Sequence, residues 1–305
     1  MELSSSLHAI GAHDHKLAMR ELKVLSGLVY DQRGEFWPTW AAISPHRRAE
    51  IARAMVDLAE DNVDLDFAQA LLWMLDDDDA EVRASAAEGL WESENLAVLR
   101  RLVAVLRADP APAVRAAAAI ALAGSAYRAE LGELDDRDAQ ALRDALLAAV
   151  RDERQPLEVR RRSLESAGYF AGEDEIQRRV GLAYQSDEQL WRESALVAMG
   201  RSMLPRWHAS IAESLANKSP ALRYEAARAV GELGEDGQAL LSKLAQLLAD
   251  PDTEVALASI WALGQIGGEA AKRLLKQVVK EGDESRRQAA ADALDELSQA
   301  DGLLA

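Results

Sequence analysis

The chain contains no cysteine, and it is short of aromatic residues and of long apolar runs. Without cysteine, disulfides, thiol catalysis and cysteine-bound zinc are excluded, and a reducing compartment is allowed. Three Phe and five Tyr among 305 residues leave few strand signals, whereas abundant Ala, Leu, Glu and Arg favour helices. No stretch approaches the roughly 18 apolar residues of a membrane span, and the start lacks the regions of a signal peptide. We therefore expect a cytoplasmic protein that does not contact a membrane.

Basic residues are also scarce. The chain has 35 Lys and Arg against 52 Asp and Glu, which gives a net charge of −17. Affinity for nucleic acid comes mainly from clustered Lys and Arg that neutralise phosphates, so nucleic acid is not an expected partner. We expect instead a protein or peptide partner, bound by a monomer that carries no cofactor.

A short motif recurs along most of the chain. The stretch DAEVRASAAEGL at 79–90 returns in six further copies, which are aligned on an anchor residue, the valine of the first copy. The separations between anchors are 32, 45, 32, 31, 33 and 31 residues, so the period is near 32 with one insertion of about 13 residues around 126–138. Recurrence at this period is typical of a repeat protein. The anchors are Val82, Val114, Val159, Trp191, Leu222, Val255 and Arg286.

Second amphipathic segments lie between the copies, such as 95–106 and 236–250, with apolar residues at three- and four-residue spacing. Each unit is therefore predicted to be two helices joined by a tight turn. A lone hairpin would leave much of its apolar surface in water, so hairpins must stack on like neighbours. We predict an all-α solenoid of about seven to eight hairpins over 44–305, preceded by a helical cap over 1–43. Within the cap, EFWPTW at 35–40 is expected to cover the open apolar end of the first repeat.

Glycines and N-cap residues mark the ends of the repeated helix. Nine residues after the anchor, glycines predict left-handed caps at Gly168, Gly200, Gly231 and Gly264. Three residues before the anchor, short polar side chains predict N-caps at Asp79, Ser219, Asp252 and Asp283.

Four consecutive aspartates, Asp76 to Asp79, raise the alternative of a metal site. A calcium loop would need alternating ligands, a glycine at the bend and a distal glutamate, which this stretch lacks. We interpret Asp79 as an N-cap and the other three as a solvated turn near the positive end of the next helix. His8, His13 and His15 lie in a Ser-rich terminal stretch, and no metal site is predicted there.

The repeated D-x-x-V-R-x-x-A helix, paired with a preceding L-x-x-L helix, resembles HEAT repeats over about residues 44–297. The likeness is strongest to the short bacterial HEAT-like type that also occurs in phycobilisome-lyase relatives. It implies a right-handed α-α superhelix whose repeated helices line a concave face. Tetratricopeptide and ankyrin repeats have a similar period, but their signatures are absent from this sequence.

The resemblance also implies a ladder of hydrogen bonds between Asp and Arg of successive repeats. Ala256 would interrupt the ladder on its basic side, and Ala111 and Pro156 stand where an acid is expected. The acids would be Asp79, Asp252 and Asp283, and the bases Arg83, Arg115, Arg160, Arg192, Arg223 and Arg287.

Candidate binding residues follow from the helical register. If the anchor and the residues four and eight later face the core, the residues two and six later, here called the face positions, point towards the concave face. Several of them are apolar, aromatic or charged in combinations that protein interfaces favour. The alternative is that curvature buries this stripe between helices. If Trp261 is exposed and binds a partner, Trp261→Ala should leave the stability almost unchanged. If Trp261 is buried, Trp261→Ala should be strongly destabilising. The predicted protein-binding residues are Trp91, Ile120, Arg161, Glu165, Glu193, Val197, Tyr224, Arg228, Leu257 and Trp261.

Enzyme functions known in similar families find little support. Deoxyhypusine hydroxylase-like HEAT enzymes carry repeated His-Glu pairs for iron, and no histidine here precedes a glutamate. HEAT-like DNA glycosylases have a basic groove, which the net charge opposes. The arginines of 151–162 are interspersed with acids, which favours a solvated helix over an anion site. We predict a non-catalytic protein-binding scaffold; the alternative is a lyase-like enzyme or accessory that binds a tetrapyrrole.

Overall fold

The protein is described by a computed structural model over residues 3–12 and 17–304, so His13 and His15 lie outside the described residues. It divides into two compact units, Met1–Ser166 and Ala167–Ala305. The helices of the first unit are α1 Leu3–Gly11, α2 Met19–Leu22, α3 Arg33–Ala42, α4 Pro45–Glu60, α5 Ala68–Met74, α6 Ala80–Glu88, α7 Leu96–Ala108, α8 Pro112–Ala121, α9 Ala123–Glu130, α10 Asp136–Arg151 and α11 Leu157–Ala167, with 3-10 turns at Lys23–Leu25 and Tyr30–Gln32.

The second unit has the same alternation of helices. Its helices are α12 Asp174–Tyr184, α13 Gln189–Ser202, α14 His208–Ser214, α15 Pro220–Glu232, α16 Leu241–Leu244, α17 Thr253–Ile266, α18 Gly268–Glu281 and α19 Glu284–Leu304, with 3-10 segments at Pro205–Trp207, Gly234–Leu240 and Ala245–Ala249. No β-strand occurs in the ranges described above.

In each unit, the helices that carry the repeated motif pack side by side. These motif helices are α6, α8 and α11 in the first unit and α13, α15, α17 and α19 in the second. Their anchors and the residues four and eight later are almost all buried, as in Val82, Ala86 and Leu90. Each motif helix is preceded by a companion helix or helical segment, which completes a hairpin. The all-α repeat class predicted from the periodicity is confirmed.

The N-caps follow from local sequence. Asp79 accepts hydrogen bonds from the backbone N–H groups of Glu81 and Val82, and Asp252 does the same for its own helix. Asp283 accepts from the N–H of Arg286 at 3.0 Å. Ser219 stands at the N-cap position of α15 with Pro220 at the first helical position, but its side chain makes no capping bond.

The predicted left-handed caps are wrong. None of the four glycines has a positive φ, and three of them lie inside motif helices. Two of them, Gly168 and Gly200, are glycine because the next motif helix of the unit passes too close for a side chain. A Cβ on Gly168 would lie 2.6 Å from Cα of Ala198, and one on Gly200 would lie 2.8 Å from Cα of Ala229. Met203, the C-cap residue of α13, does take a left-handed conformation, with φ 52°.

Phe36 and Trp40 of the EFWPTW stretch lie in the core of the first unit; that the stretch covers the open end of the first repeat remains a prediction. Phe36 stacks on Trp40 with ring centroids 5.3 Å apart, and it contacts Trp73 of α5 at 5.1 Å. All three side chains are buried. The predicted boundary of the cap at residue 43 remains a prediction.

The insertion forms a helix of its own. The extra residues make α9, which follows α8 after Leu122, and lengthen the companion helix α10 to 16 residues against 13 in α7. The added helix begins at Ala123, slightly before the predicted position of the insertion.

Candidate functional site

The four aspartates hold the first repeats together. Asp76 accepts from Arg33 at 2.8 Å and from Arg101 at 2.5 Å. Asp77 is buried, and it accepts from the Trp40 indole at 2.6 Å and from Arg48 at 3.0 Å. The interpretation of a solvated turn is therefore wrong for Asp77. A metal is not needed to balance this run, because arginines and backbone N–H groups do so.

Arginines of the motif helices link neighbouring hairpins. Arg83 makes a bidentate pair with Asp109, at 2.8 and 3.0 Å, and donates to the carbonyl groups of Asp77 and Asp78. In the second unit, Arg223 makes the same pair with Asp250, at 2.7 and 2.8 Å. The ladder that the resemblance implies thus exists at these joints.

The acids of the ladder are not those assigned from the sequence. They stand five residues before the anchor, at Asp109 and Asp250, rather than three before it. Asp79, Asp252 and Asp283 are N-caps instead. The side-chain hydrogen bond from the Arg223 guanidinium, more than any other interaction, lowers the pKa of the Asp250 carboxyl below its ordinary value.

At two joints inside the units the ladder lacks its acid. Arg115 donates to the neutral Gln155 at 3.1 Å. Asn217 occupies the equivalent place before α15, where its side chain accepts from the N–H of Ser219 at 2.9 Å. The buried Nε of Arg192 has no hydrogen-bond partner among the described residues. At the last joint Arg286, rather than the expected Arg287, donates to the Asp250 carbonyl at 2.8 Å.

The face positions of the second unit remain partly exposed. On α13, α15 and α17 they place three half-buried apolar or aromatic side chains, Val197, Tyr224 and Leu257, among charged neighbours. Glu193 accepts a hydrogen bond from Gln189 at 2.8 Å on its own helix. We call this set the unit 2 face: Glu193, Val197, Tyr224, Arg228, Leu257 and Trp261.

Trp261 packs against the neighbouring motif helix α15. Its half-buried ring lies over Gly231 of α15, where a Cβ would approach Cε3 of the ring to 2.9 Å. The Arg228 guanidinium stacks on the ring at 3.7 Å from its centroid, a favourable cation–π contact. Because the ring packs between these groups, the geometry favours the alternative in which Trp261→Ala lowers stability; the near-neutral effect remains a prediction.

Four predicted residues belong to the first unit, and they differ in accessibility. Trp91 and Ile120 are 51% and 42% exposed, while Glu165 is only 7% exposed. The carboxylate of Glu165 accepts from Arg161 at 3.3 Å and from Arg162 at 3.0 Å. Glu165 is therefore not an accessible contact for a partner, and Arg161 is engaged with Glu158 and Glu165 on its own helix.

Tyr127 and Leu131, on and after α9, were missed by the reasoning from repeats. They are 47% and 55% exposed. Because they lie in the insertion, no face position could be assigned to them by alignment. Their spacing from Ile120, at seven and eleven residues, is the signal that would have found them.

No group of three or more His, Asp or Glu side chains in 3–12 and 17–304 is arranged to hold a metal ion. None of the helices described is both long and apolar enough to cross a bilayer.

Comparison with known proteins identifies the repeats. The family model of HEAT repeats matches residues 68–155 and 209–295. No curated protein matches the chain. Similar solved structures include YibA of Escherichia coli, at 16% identity over 94% of this chain and 99% of that chain with a TM-score of 0.46. Human deoxyhypusine hydroxylase in complex with glycerol is similar at 17% identity over 97% of each chain, with a TM-score of 0.38. An engineered protein has 18% identity over 97% of this chain and 88% of its own, with a TM-score of 0.41.

Proposed function

Because the chain belongs to the HEAT-repeat family, we propose that it is a non-catalytic scaffold that binds a protein partner through the face positions of its motif helices. The observation that carries this proposal is the contrast within single helices of the second unit. On α15, Leu222, Ala226 and Val230 are buried, while Tyr224 and Arg228 between them stay partly exposed. Aromatic and arginine side chains in a polar surround supply most of the binding energy in protein interfaces.

The unit 2 face has both kinds of group that such an interface uses. Tyr224 and Leu257 occupy the same position on neighbouring helices and offer apolar surface. Arg228 is held in place by the Trp261 ring and by Glu232, whose carboxylate lies 3.9 Å away. A held arginine loses less conformational entropy on binding than a free one, because its geometry is already set.

Site-specific photo-crosslinking tests the proposal. A photoreactive phenylalanine derivative placed at Tyr224 in cells of the native organism should yield a covalent adduct with a partner protein. The matched control places the same group at Leu182, which is 62% exposed on the companion helix α12. The proposal is supported if adducts form at position 224 and their yield falls when Leu257→Ser is introduced. Absence of adducts at 224, or equal adducts at 182, contradicts it.

A further inference from the structure

The insertion presents an apolar stripe that the repeat itself does not require. Along α8 and α9, Ile120, Gly124, Tyr127 and Leu131 recur at three- and four-residue intervals, which places them along one side of the helical segment. The three side chains among them are between 42% and 55% exposed. The opposite side of the same segment is buried, as in Leu122 and Ala126.

The turn after α6 brings Trp91 beside this stripe. A Cβ on Gly124 would lie only 3.3 Å from the Trp91 carbonyl oxygen, so glycine lets the turn approach the helix closely. Farther along, Arg128 donates to the Glu94 carbonyl at 3.2 Å and to the Glu133 carboxylate at 3.1 Å. The bond to Glu94 holds the turn against α9. The result is the insertion patch: Trp91, Ile120, Tyr127 and Leu131.

Exposed carboxylates flank the residues of the insertion patch in the sequence. Glu92, Glu94, Glu130 and Glu133 are all exposed and lie within three residues of a patch residue. Residues 84–99 contain no Lys or Arg, and residues 116–136 contain only Arg128, whose guanidinium is engaged as described above. The edge of the patch therefore carries a negative potential, which favours a positively charged partner and speeds its approach.

We propose that the insertion patch binds a basic amphipathic segment of a partner protein, with apolar side chains on the patch and Lys or Arg against the surrounding carboxylates. The proposal deepens the proposed scaffold function and rests on it. The same charge repels nucleic acid and anionic lipid. A second copy of this chain would bring its own carboxylates to the contact, so like charges would oppose self-association there.

A synthetic peptide pair tests the charge and the shape of the site together. The probe is a labelled helical peptide of about 14 residues in which leucines at three- and four-residue spacing are separated by lysines. Its counterpart has glutamate at every lysine. Fluorescence anisotropy with the full chain should detect binding of the lysine peptide alone, and the affinity should fall as salt is raised.

Two pairs of variants locate the binding. The double variant Trp91→Ser with Tyr127→Ser should bind the lysine peptide at least about tenfold more weakly. The control double variant Val63→Ser with Leu182→Ser, at exposed sites elsewhere, should bind it with unchanged affinity. The double variant Glu92→Lys with Glu130→Lys should also bind the lysine peptide more weakly. Its control, Glu153→Lys with Glu235→Lys, makes the same change in net charge and should have little effect on the affinity. Circular dichroism confirms that each variant is folded.

Three results overturn the inference. They are equal binding of the glutamate peptide, unchanged binding of the lysine peptide by the Trp91 and Tyr127 variant, and a dimer that this variant converts to a monomer in sedimentation equilibrium. The last would mean that a second copy covers the patch. Crosslinking at Tyr224 is independent of these measurements, so a partner captured there while the peptide fails would refute this inference and leave the scaffold function standing.

Discussion

The close contact of Gly231 with Trp261 predicts that Gly231→Ala destabilises the native chain but stabilises a chain that carries Trp261→Ala. In the native chain, Gly231→Ala puts a methyl group where the Trp261 ring lies, within 2.9 Å of ring atoms. The ring must shift away from Arg228, and overpacking of this kind costs about 1–3 kcal/mol. In a Trp261→Ala background the space is empty. There alanine is the better helix former, and Gly231→Ala should increase the free energy of unfolding by up to about 1 kcal/mol.

Urea denaturation followed by far-UV circular dichroism measures the four chains of this double-mutant cycle. Trp261→Ala alone should cost about 2 kcal/mol, somewhat less than a fully buried tryptophan because the ring is half-buried. Gly200→Ala is the control. A Cβ at position 200 would lie 2.8 Å from the backbone of Ala229, so Gly200→Ala should destabilise the chain equally with and without Trp261→Ala. If Gly231→Ala destabilises both backgrounds equally, the Trp261 ring is not the reason why position 231 requires glycine.

Three further predictions concern the ladder and a strained cap. Asp250→Ala removes both bonds to Arg223, so it should lower the unfolding free energy by about 3 kcal/mol at neutral pH, measured by urea denaturation. Because the folded pKa of Asp250 lies below its unfolded value, the stability that its ionised carboxylate contributes is complete above about pH 5 and disappears as the pH falls through the folded pKa. A stability difference between the two chains that persists in acid would contradict this. Gln155→Glu should raise the free energy of unfolding by about 0.5–1 kcal/mol, because the new carboxylate pairs with Arg115. A lower free energy of unfolding would mean that the Arg115 guanidinium is not accessible to the carboxylate. Met203→Gly should raise the melting temperature by removing about 1 kcal/mol of left-handed strain, and an unchanged temperature would refute that strain.

Much of the fold was predictable because it depends on neighbours in the sequence. The anchors predicted the buried side of each motif helix, since residues four apart share a helical face. Asp79 and Asp252 were identified as N-caps because a cap bonds to N–H groups two or three residues away. The family resemblance followed from the same local pattern, repeated at a constant spacing.

The candidate sites were less predictable because they depend on distances between hairpins. The face positions were assigned by register, yet Glu165 is buried by its pairs with Arg161 and Arg162. The ladder acids were placed two residues from their true positions, because the reach of an arginine into the next hairpin is set by packing. Tyr127 and Leu131 escaped notice because the insertion has no counterpart to align with.

The sequence by itself determined the helices, their buried sides, their N-caps and the repeat. Only the tertiary structure decided that the constant spacing of glycines along this chain serves close contacts with the next motif helix, that Trp261 fills the space over Gly231, and that Asp109 and Asp250 are the ladder acids. The reason is physical: helix formation and capping are settled within one turn of chain. Which side chains meet across hairpins depends on how closely whole helices approach, and that distance results from the packing of many residues at once.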